Sequence, residues 1–432
     1  MNVELVNTGS ELLLGRTLNT HAQWLARELA DHGLAVTRQI SVADTSAAIA
    51  AAVREALSRA DLVITTGGLG PTSDDLTRQT LAKMLGKKLR ADATIAAHIK
   101  NWFESRNRPV PLSTRSETFV PEGALVLPNA HGTAPGLAME VGAGRWEIGD
   151  GTRNSPAASS KWLVLLPGPP RELRPMFTAS VLPLLSQIFP EREPFACHTL
   201  RTTGLGEAVL AERVGPKLEK IPGLEIGYCA HMGQVDVRLA ARGAERGAIL
   251  REAEAIVRAE FGENIFGVED ETLESVVVRL LTERRKTLAL AESCTGGFIA
   301  NKITNVPGAS VVLLAGLVIY ANAAKEKFLG VRAKTLAANG AVSEAVAREM
   351  AEGARQATGA DFALAVTGIA GPSGGTAEKP AGTVFLALAA KGGTTVGRRL
   401  NRCDRETFKE LTARQALELL RRAVLETNSP QA

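Results

Sequence analysis

The sequence predicts an α/β protein built in three parts, and three observations carry that reading. Over residues 1–176, short apolar runs ending in glycine loops alternate with amphipathic stretches. That order of strand and helix predicts a mostly parallel sheet covered by helices. The pattern changes between residues 177 and 267, where a small α+β module is expected, and alternation returns over 268–432. A chain of 432 residues is also too long for one ordinary core.

The elements follow in order. Residues 3–6 read as a buried strand and 22–30 as a helix with Trp24, Leu25 and Leu29 on one face, stopped by Gly33. Residues 35–40 alternate as a strand. A second helix starts near Thr45 and turns Ile49, Val53, Ala56 and Leu57 inward. A strand at 62–65 runs into a glycine loop, and a helix over 76–85 ends at Gly86. The first part closes with a strand at 163–166 and Pro167-Gly168-Pro169-Pro170; the Gly/Ser-rich stretch 149–160 reads as a mobile loop. The middle part carries helices at 207–218 and 248–261 and an alternating strand at 234–239. The third part offers strands at 287–290, 311–320, 362–366 and 383–388, a helix from Ser343 to just before Gly359, and a final helix over 405–425. No short-period repeat is present.

Composition excludes several classes. A net charge of +4, with basic and acidic residues mixed, is too weak to imply a nucleic-acid or membrane partner. Aromatic content of 4% argues against a base-stacking platform. The start Met1-Asn2-Val3-Glu4 lacks the basic flank and apolar core of a signal peptide. The longest apolar run, 311–319, is too short to span a bilayer. Four scattered cysteines without metal spacing fit a reduced, cytoplasmic protein.

The chemistry concentrates at strand ends. Ala291-Glu292-Ser293-Cys294-Thr295-Gly296-Gly297 is a tight polar turn between a strand and a helix, a place that exposes a hydroxyl and aims helix N–H groups at a ligand. Two further clusters end the next predicted strands: Tyr320-Ala321-Asn322 with Lys325, and Thr367-Gly368-Ile369-Ala370-Gly371-Pro372. Ligands of open α/β sheets bind beyond the carboxyl ends of the strands. The six histidines all lie at or before position 231, so a Ser293 nucleophile has no histidine base in its own part of the chain. Lys325, if buried, is the best placed substitute, and Tyr320 would orient it or donate to an oxyanion. The plainer alternative is that the Ser-Cys-Thr turn caps the following helix, which is the commoner use of the pattern. Cys294 reads as a small buried side chain.

These segments, with Gly340-Ala341-Val342-Ser343 and Lys379-Pro380-Ala381-Gly382-Thr383-Val384, resemble in order the C-terminal domain of the CinA family over about residues 272–425. The resemblance implies an α/β amidohydrolase that converts nicotinamide mononucleotide (NMN) to nicotinic acid mononucleotide and ammonia, without a cofactor. It implies Ser293 as nucleophile, Lys325 and Tyr320 as proton carriers, and Glu292, Thr295, Gly296, Gly297, Asn322, Thr367, Gly368 and Gly371 around the substrate. Arg405 matches the arginine of a Gly-Asp-Arg segment and would suit the phosphate. Cys403 replaces that glycine, and Lys409 stands where an arginine is usual.

In the first part, Thr65-Thr66-Gly67-Gly68-Leu69-Gly70-Pro71-Thr72-Ser73-Asp74-Asp75 joins a strand to a helix. Consecutive glycines let backbone approach an anion. Asp74 and Asp75 either cap the helix or recruit a divalent metal. Glu11 either opens near the same sheet edge or is a surface acid in a first helical turn. This part, with Asn129-Ala130-His131-Gly132-Thr133-Ala134-Pro135-Gly136 and Leu166-Pro167-Gly168-Pro169-Pro170-Arg171-Glu172-Leu173, resembles the molybdopterin-binding-like domain of CinA proteins over 1–176. Ser10 sits where some relatives of this fold carry Asp. The resemblance implies cleavage of ADP-ribose to AMP and ribose 5-phosphate with Mg, Mn or Co, at a site including Glu11, Thr66, Gly67, Gly68, Gly70, Asp74, Asp75 and Asn129, with Asp74 and Asp75 on the metal. The competing class is a non-catalytic module for a molybdopterin-like ligand. The middle part, 177–267, resembles the KH-like domain of the same family; Thr203-Gly204-Leu205-Gly206-Glu207 is not the Gly-x-x-Gly loop of RNA binders, so a structural role in a homodimer is expected. A competence or DNA-damage accessory protein is the third class, disfavoured by charge and aromatic content.

Overall fold

Fully buried strands organise each half of the molecule. The computed structural model describes residues 1–142, 161–190 and 193–427, and the expected mobile loop at 149–160 lies outside the described residues. Two compact units form, Met1–Ala196 with Arg242–Arg246, and Cys197–Ala241 with Gly247–Ala432.

In the first unit the main sheet contains β1 (Val3–Thr8), β2 (Val36–Val42) and β3 (Leu62–Thr66). A separate two-stranded ribbon, β4 (Leu89–Ala91) and β5 (Phe119–Pro121), precedes its last members, β6 (Leu125–Leu127), β7 (Gly136–Val141) and β8 (Lys161–Leu166). The order is β2-β1-β3-β8-β7-β6. The first four strands are parallel, and β7 and β6 add antiparallel. Alternate residues feed opposite faces, as strand geometry requires. Val3, Leu5, Leu62 and Ile64 pack under one set of helices, including Thr20–Asp31. Val6, Val63, Leu163 and Leu165 pack under another, including Ser46–Arg59 and Ala93–Glu104. The expected parallel sheet is present; the antiparallel edge and helix Ala93–Glu104 are additions to it.

The middle module begins with β9 (Phe195–Thr203), β10 (Leu224–His231), β11 (Gln234–Arg242) and β12 (Ile265–Val268), in the order β10-β11-β9-β12. Helices Glu207–Leu218 and Arg246–Phe261 complete the α+β arrangement.

The last sheet holds β13 (Leu288–Glu292), β14 (Leu313–Val318), β15 (Phe362–Gly368), β16 (Thr383–Ala390) and β17 (Gly393–Leu400), in the order β14-β13-β15-β16-β17. Its two faces differ in size. Leu288, Leu290, Leu364, Val366, Leu386 and Leu388 meet helices Leu273–Glu283, Phe298–Thr304 and Arg405–Glu426. The other face is mostly alanine: Ala289, Ala291, Ala363, Ala365, Ala387 and Ala389. Those small side chains let helix Glu344–Thr358 approach with Ala347, Met350, Ala351 and Ala354. Each large side chain buried on the other face stabilises by roughly 1.5–3 kcal/mol, which is why a one-residue slip of these strands is strongly disfavoured.

The topology fixes the site. β13 is flanked by β14 and β15, both parallel to it. The chain leaves β13 toward one neighbour and returns on the other side, so the crossovers diverge at its carboxyl end. β16 and β17 run antiparallel to their neighbours, with Thr383 opposite Leu400. The start of β16 and the end of β17 therefore lie at the same edge as the ends of β13 and β15. This brings Arg405 to the same cavity as Ser293 despite a separation of 112 positions in the sequence. The expected strand at 311–320 is trimmed by a 3-10 turn at Ala309–Val311.

Candidate functional site

The turn after β13 is held by a buried carboxylate. Glu292 accepts hydrogen bonds from the backbone N–H groups of Gly297 (3.1 Å), Ile299 (3.0 Å) and Ala300 (2.7 Å). Negative charge against a helix N-terminus is favourable, and charge-assisted bonds are the strong ones. Gly296 and Gly297 adopt φ of 63° and 91°, which glycine tolerates best. Glu292 was expected at the substrate; both its oxygens are instead committed to the helix start. The capping role expected of the Ser293 turn thus belongs to Glu292, which leaves the serine hydroxyl for the cavity.

Ser293 donates its backbone N–H to Val366 O at 3.0 Å. Its Oγ accepts from Lys325 Nζ at 3.3 Å. Lys325, on helix Asn322–Leu329, is 1% exposed. Its ammonium also reaches Ile319 O (3.1 Å) and Tyr320 O (2.9 Å), and no carboxylate pairs with it among the described residues. Burial pushes the lysine pKa below its ordinary value. In the neutral form two N–H bonds can stay on the carbonyls while the lone pair faces Ser293 Oγ. The buried Cys294 thiol is pushed up to about 12 by burial, so it holds its proton at neutral pH.

These groups line a cavity of about 210 Å³ with Tyr320, Ala341, Val342, Thr367, Gly368, Ala370 and Arg405. Arg405 donates to Tyr320 Oη (3.1 Å) and Gly371 O (3.2 Å), tying the third and second clusters together. Thr367 donates to Ala341 O at 2.9 Å. Gly368 has no room for a side chain, since a Cβ would stand 2.9 Å from Thr383 O and 3.1 Å from Cys294 Sγ. Of the expected substrate-side residues, Gly296 and Gly297 shape the turn and Asn322 is the exposed first residue of its helix. Thr295 is fully buried, with a hydroxyl that has no partner. Ala341, Val342 and Ala370 were missed; the Gly340–Ser343 segment, which ends in the helix cap Ser343, was the available signal.

In the first unit the glycine loop borders a second cavity, of about 270 Å³. It lies beyond the carboxyl ends of β3 and β8 and includes Gly68, Gly70, Asp75, Glu117, Thr133, Gly168 and Glu172. Gly68 has φ of 67°, and a Cβ there would stand 2.2 Å from Thr77 Oγ1. Asp75 accepts from the Thr72 backbone N–H (2.8 Å) and hydroxyl (2.5 Å). Asn129 is buried, donating to Ala134 O and Glu172 Oε2 at 2.8 Å. Glu117 and Glu172, absent from the expected set, are the buried acids of this cavity. Desolvation raises the Glu117 pKa to about 7. One Glu117 oxygen accepts from Thr133 Oγ1 (3.0 Å) and the other has no partner.

The remaining expected residues sit elsewhere. Thr66 is buried and donates to Asn7 Oδ1 at 2.9 Å. Gly67, with φ of 95°, packs on Thr8. Glu11 is an exposed acid in the short helix Ser10–Leu13. Asp74 is exposed and accepts from the Thr72 hydroxyl, so only Asp75 of the pair lines the cavity. Among the described residues no group of three or more His, Cys, Asp or Glu side chains is disposed to hold a metal ion. The Asp74–Asp75 pair thus does not fit a preformed divalent-metal centre. It serves the loop, accepting from Thr72 rather than from the start of helix Thr77–Met84, whose Leu76 cap has no side-chain bond, so the helix-capping alternative is not realised either.

Three family models match the chain: the CinA C-terminal domain at residues 270–424, the probable molybdopterin binding domain at 4–187, and the damage-inducible protein CinA KH domain at 197–267. A putative competence-damage inducible protein of Symbiobacterium thermophilum is 45% identical, covering 98% of this chain and 99% of that protein. The chain belongs to the CinA family. A CinA-like protein of Akkermansia muciniphila is also 45% identical, over 96% of each chain. The crystal structure of the competence/damage inducible protein CihA from Agrobacterium tumefaciens is 42% identical, covers 36% of this chain and 97% of that chain, and has a TM-score of 0.33. No helix among the described residues is long and apolar enough to cross a membrane.

Proposed function

We propose that this CinA protein is a nicotinamide-nucleotide amidohydrolase that converts NMN and water to nicotinic acid mononucleotide and ammonia. The observation that carries the reading is the contact of buried Lys325 Nζ with Ser293 Oγ at 3.3 Å, at one end of a cavity that Arg405 borders. Lys325 takes the hydroxyl proton as Ser293 attacks the carboxamide carbon. The tetrahedral intermediate collapses with loss of ammonia, to which the lysine returns the proton. Water, deprotonated by the same lysine, then releases the carboxylate and frees Ser293. Tyr320 Oη, already held by Arg405, is placed to orient the substrate or donate to the developing oxyanion. Arg405 supplies a guanidinium for the phosphate. Ammonia release and chromatography of NMN incubations test this. Ser293→Ala is expected to abolish turnover with the fold intact; full activity in that variant would sink the assignment.

For the first unit we propose a small-ligand site beside the glycine loop, supported by the 270 Å³ cavity. ADP-ribose is the first ligand to try, with Mg, Mn or Co added; formation of AMP supports a pyrophosphatase, and binding of a pterin without turnover supports a binding module. Homodimer formation remains part of the proposal and is read by light scattering.

A further inference from the structure

The 210 Å³ cavity is below the roughly 300–1,000 Å³ of ordinary ligand sites. It offers space for a ring carrying a carboxamide, not for a whole nucleotide. A larger cavity of about 680 Å³ adjoins it, and Arg405 lines both. Its walls are Phe298, Arg405, Glu406, Thr407, Lys409 and Glu410 from the last part of the chain, and Met232 from the turn between β10 and β11.

That turn is anchored. A Cβ on Gly233 would meet Leu411 Cδ2 at 3.1 Å, so the hairpin lies against helix Arg405–Glu426. Gln234, 4% exposed, accepts from the Arg414 guanidinium. Met232 itself stays 42% exposed over the opening. The charges are arranged unequally. Glu410 is neutralised by Lys302 (3.0 Å) and Arg414 (3.1 Å). Arg405 and Lys409, one helical turn apart, have no carboxylate within ion-pair distance among the described residues; Lys409 Nζ lies 5.5 Å from the centre of the Phe298 ring. Glu406 lines the same cavity from the same helix and is the acid there, among the described residues, that has no ion pair to offset it.

Resting on the amidase reading, we propose that the middle module forms part of the substrate site. The carboxamide ring enters the small chamber, and the ribose phosphate occupies the large one, between Phe298 and Met232, with its phosphate on Arg405 and Lys409. Met232 and Lys409 are specificity-determining residues that select a phosphorylated substrate.

The test compares NMN with nicotinamide riboside, which lacks the phosphate, using the full chain. Wild type is expected to prefer NMN in kcat/KM. Lys409→Met, and Met232→Glu, which sets a carboxylate against the phosphate, should each raise KM for NMN about tenfold and shrink the preference over the riboside by the same factor, with kcat for NMN held within about twofold. Equal effects on both substrates, or none, would overturn the proposal, because damage to folding moves both alike. Calorimetric titration of NMN separates the two readings. Binding that both variants weaken, without ammonia release by wild type, keeps the chamber and rejects the amidase. Absence of NMN binding to wild type rejects both.

Discussion

The two glycine turns of this molecule occupy equivalent places and carry opposite chemistry. Each follows a central parallel strand, β3 in one unit and β13 in the other, and each borders a cavity at the carboxyl edge of its sheet. At β13 the buried titratable group facing the cavity is a lysine, Lys325, with a guanidinium from Arg405 beside it. At β3 the charged groups lining the cavity, among the described residues, are the carboxyls of Asp75, Glu117 and Glu172, with the buried Arg78 guanidinium set behind them on Leu69 O. The fold therefore sets where a ligand can bind, and the side chains delivered by distant segments set what it can be. A site with a buried amine beside a hydroxyl suits nucleophilic attack. A site lined by carboxyl groups, with Glu117 raised to about 7 by burial, suits a ligand that donates hydrogen bonds.

The largest expected effect breaks the basic side of this comparison. Lys325→Met should lower amidase kcat by about 10³-fold, the scale of a lost general base, while Ser293 remains in place. The pH profile carries the sign. Lysine acts as a base only when neutral, so the rate should rise with pH. Because burial lowers the Lys325 pKa, the plateau should arrive below the ordinary 10.5. A rate that is flat or falls with rising pH would remove Lys325 from the base role and leave Ser293 needing another partner.

The acidic side is probed by Glu117→Gln. The folded-state pKa of about 7 lies above the ordinary 4.5, so folding favours the protonated acid. Below about 4.5 wild type suffers no penalty from this group, since it is protonated folded and unfolded. Stability is lost as pH rises from there through about 7. Above that the penalty reaches on the order of 3 kcal/mol. Glutamine keeps the shape and can still accept from Thr133 without ionising. The variant should match wild type near pH 4 and melt higher than wild type at pH 8. Equal melting at both pH values would mean that Glu117 is solvated and that the cavity is less acidic in effect than its lining suggests.

The two sides also differ in how much the chain revealed in advance. The turn at Ser293 and the clusters at Tyr320, with its Lys325, and Thr367 were readable because each sits at the end of an apolar run, where strand ends are marked by glycine and polar residues. The alternating Leu/Ala pattern of β13, β15 and β16 was there too, but which face met which helix depends on tertiary packing. Glu292 was misplaced because its partners are helix N–H groups, invisible until the turn closes. Glu117 and Glu172 gave no local signal at all. Glu117 lies in a 3-10 stretch, Leu112–Thr118, and Glu172 opens a short helix, Pro170–Met176; their partners, Thr133 and Asn129, come from a segment 16 and 43 positions away. The packing of the middle hairpin on helix Arg405–Glu426, where Arg414 donates to Gln234, is likewise a contact across 180 positions of numbering that no periodicity records.

The smallest effects decide whether the acidic site is a metal site. Asp74 is exposed and makes one side-chain contact, to the Thr72 hydroxyl, whereas Asp75 lines the cavity and holds both Thr72 donors. Asp75→Ala should therefore cost about 1 kcal/mol, as for a lost loop hydrogen bond, and Asp74→Ala no more than about 0.5 kcal/mol. Chelation should leave the melting temperature unchanged, because the described residues hold no preformed cluster for an ion that folding would depend on. If Mg, Mn or Co instead raises the melting temperature, and Asp75→Ala and Asp74→Ala abolish the rise equally, the two aspartates act as a pair and the loop rearranges around a cation. If only Asp75→Ala abolishes it, the ion sits inside the cavity with Glu117 and Glu172, and the acidic pocket becomes a cation site that a phosphorylated ligand would complete. That outcome would narrow the contrast between the two turns to the source of positive charge: fixed guanidinium and ammonium groups at β13, a borrowed cation at β3.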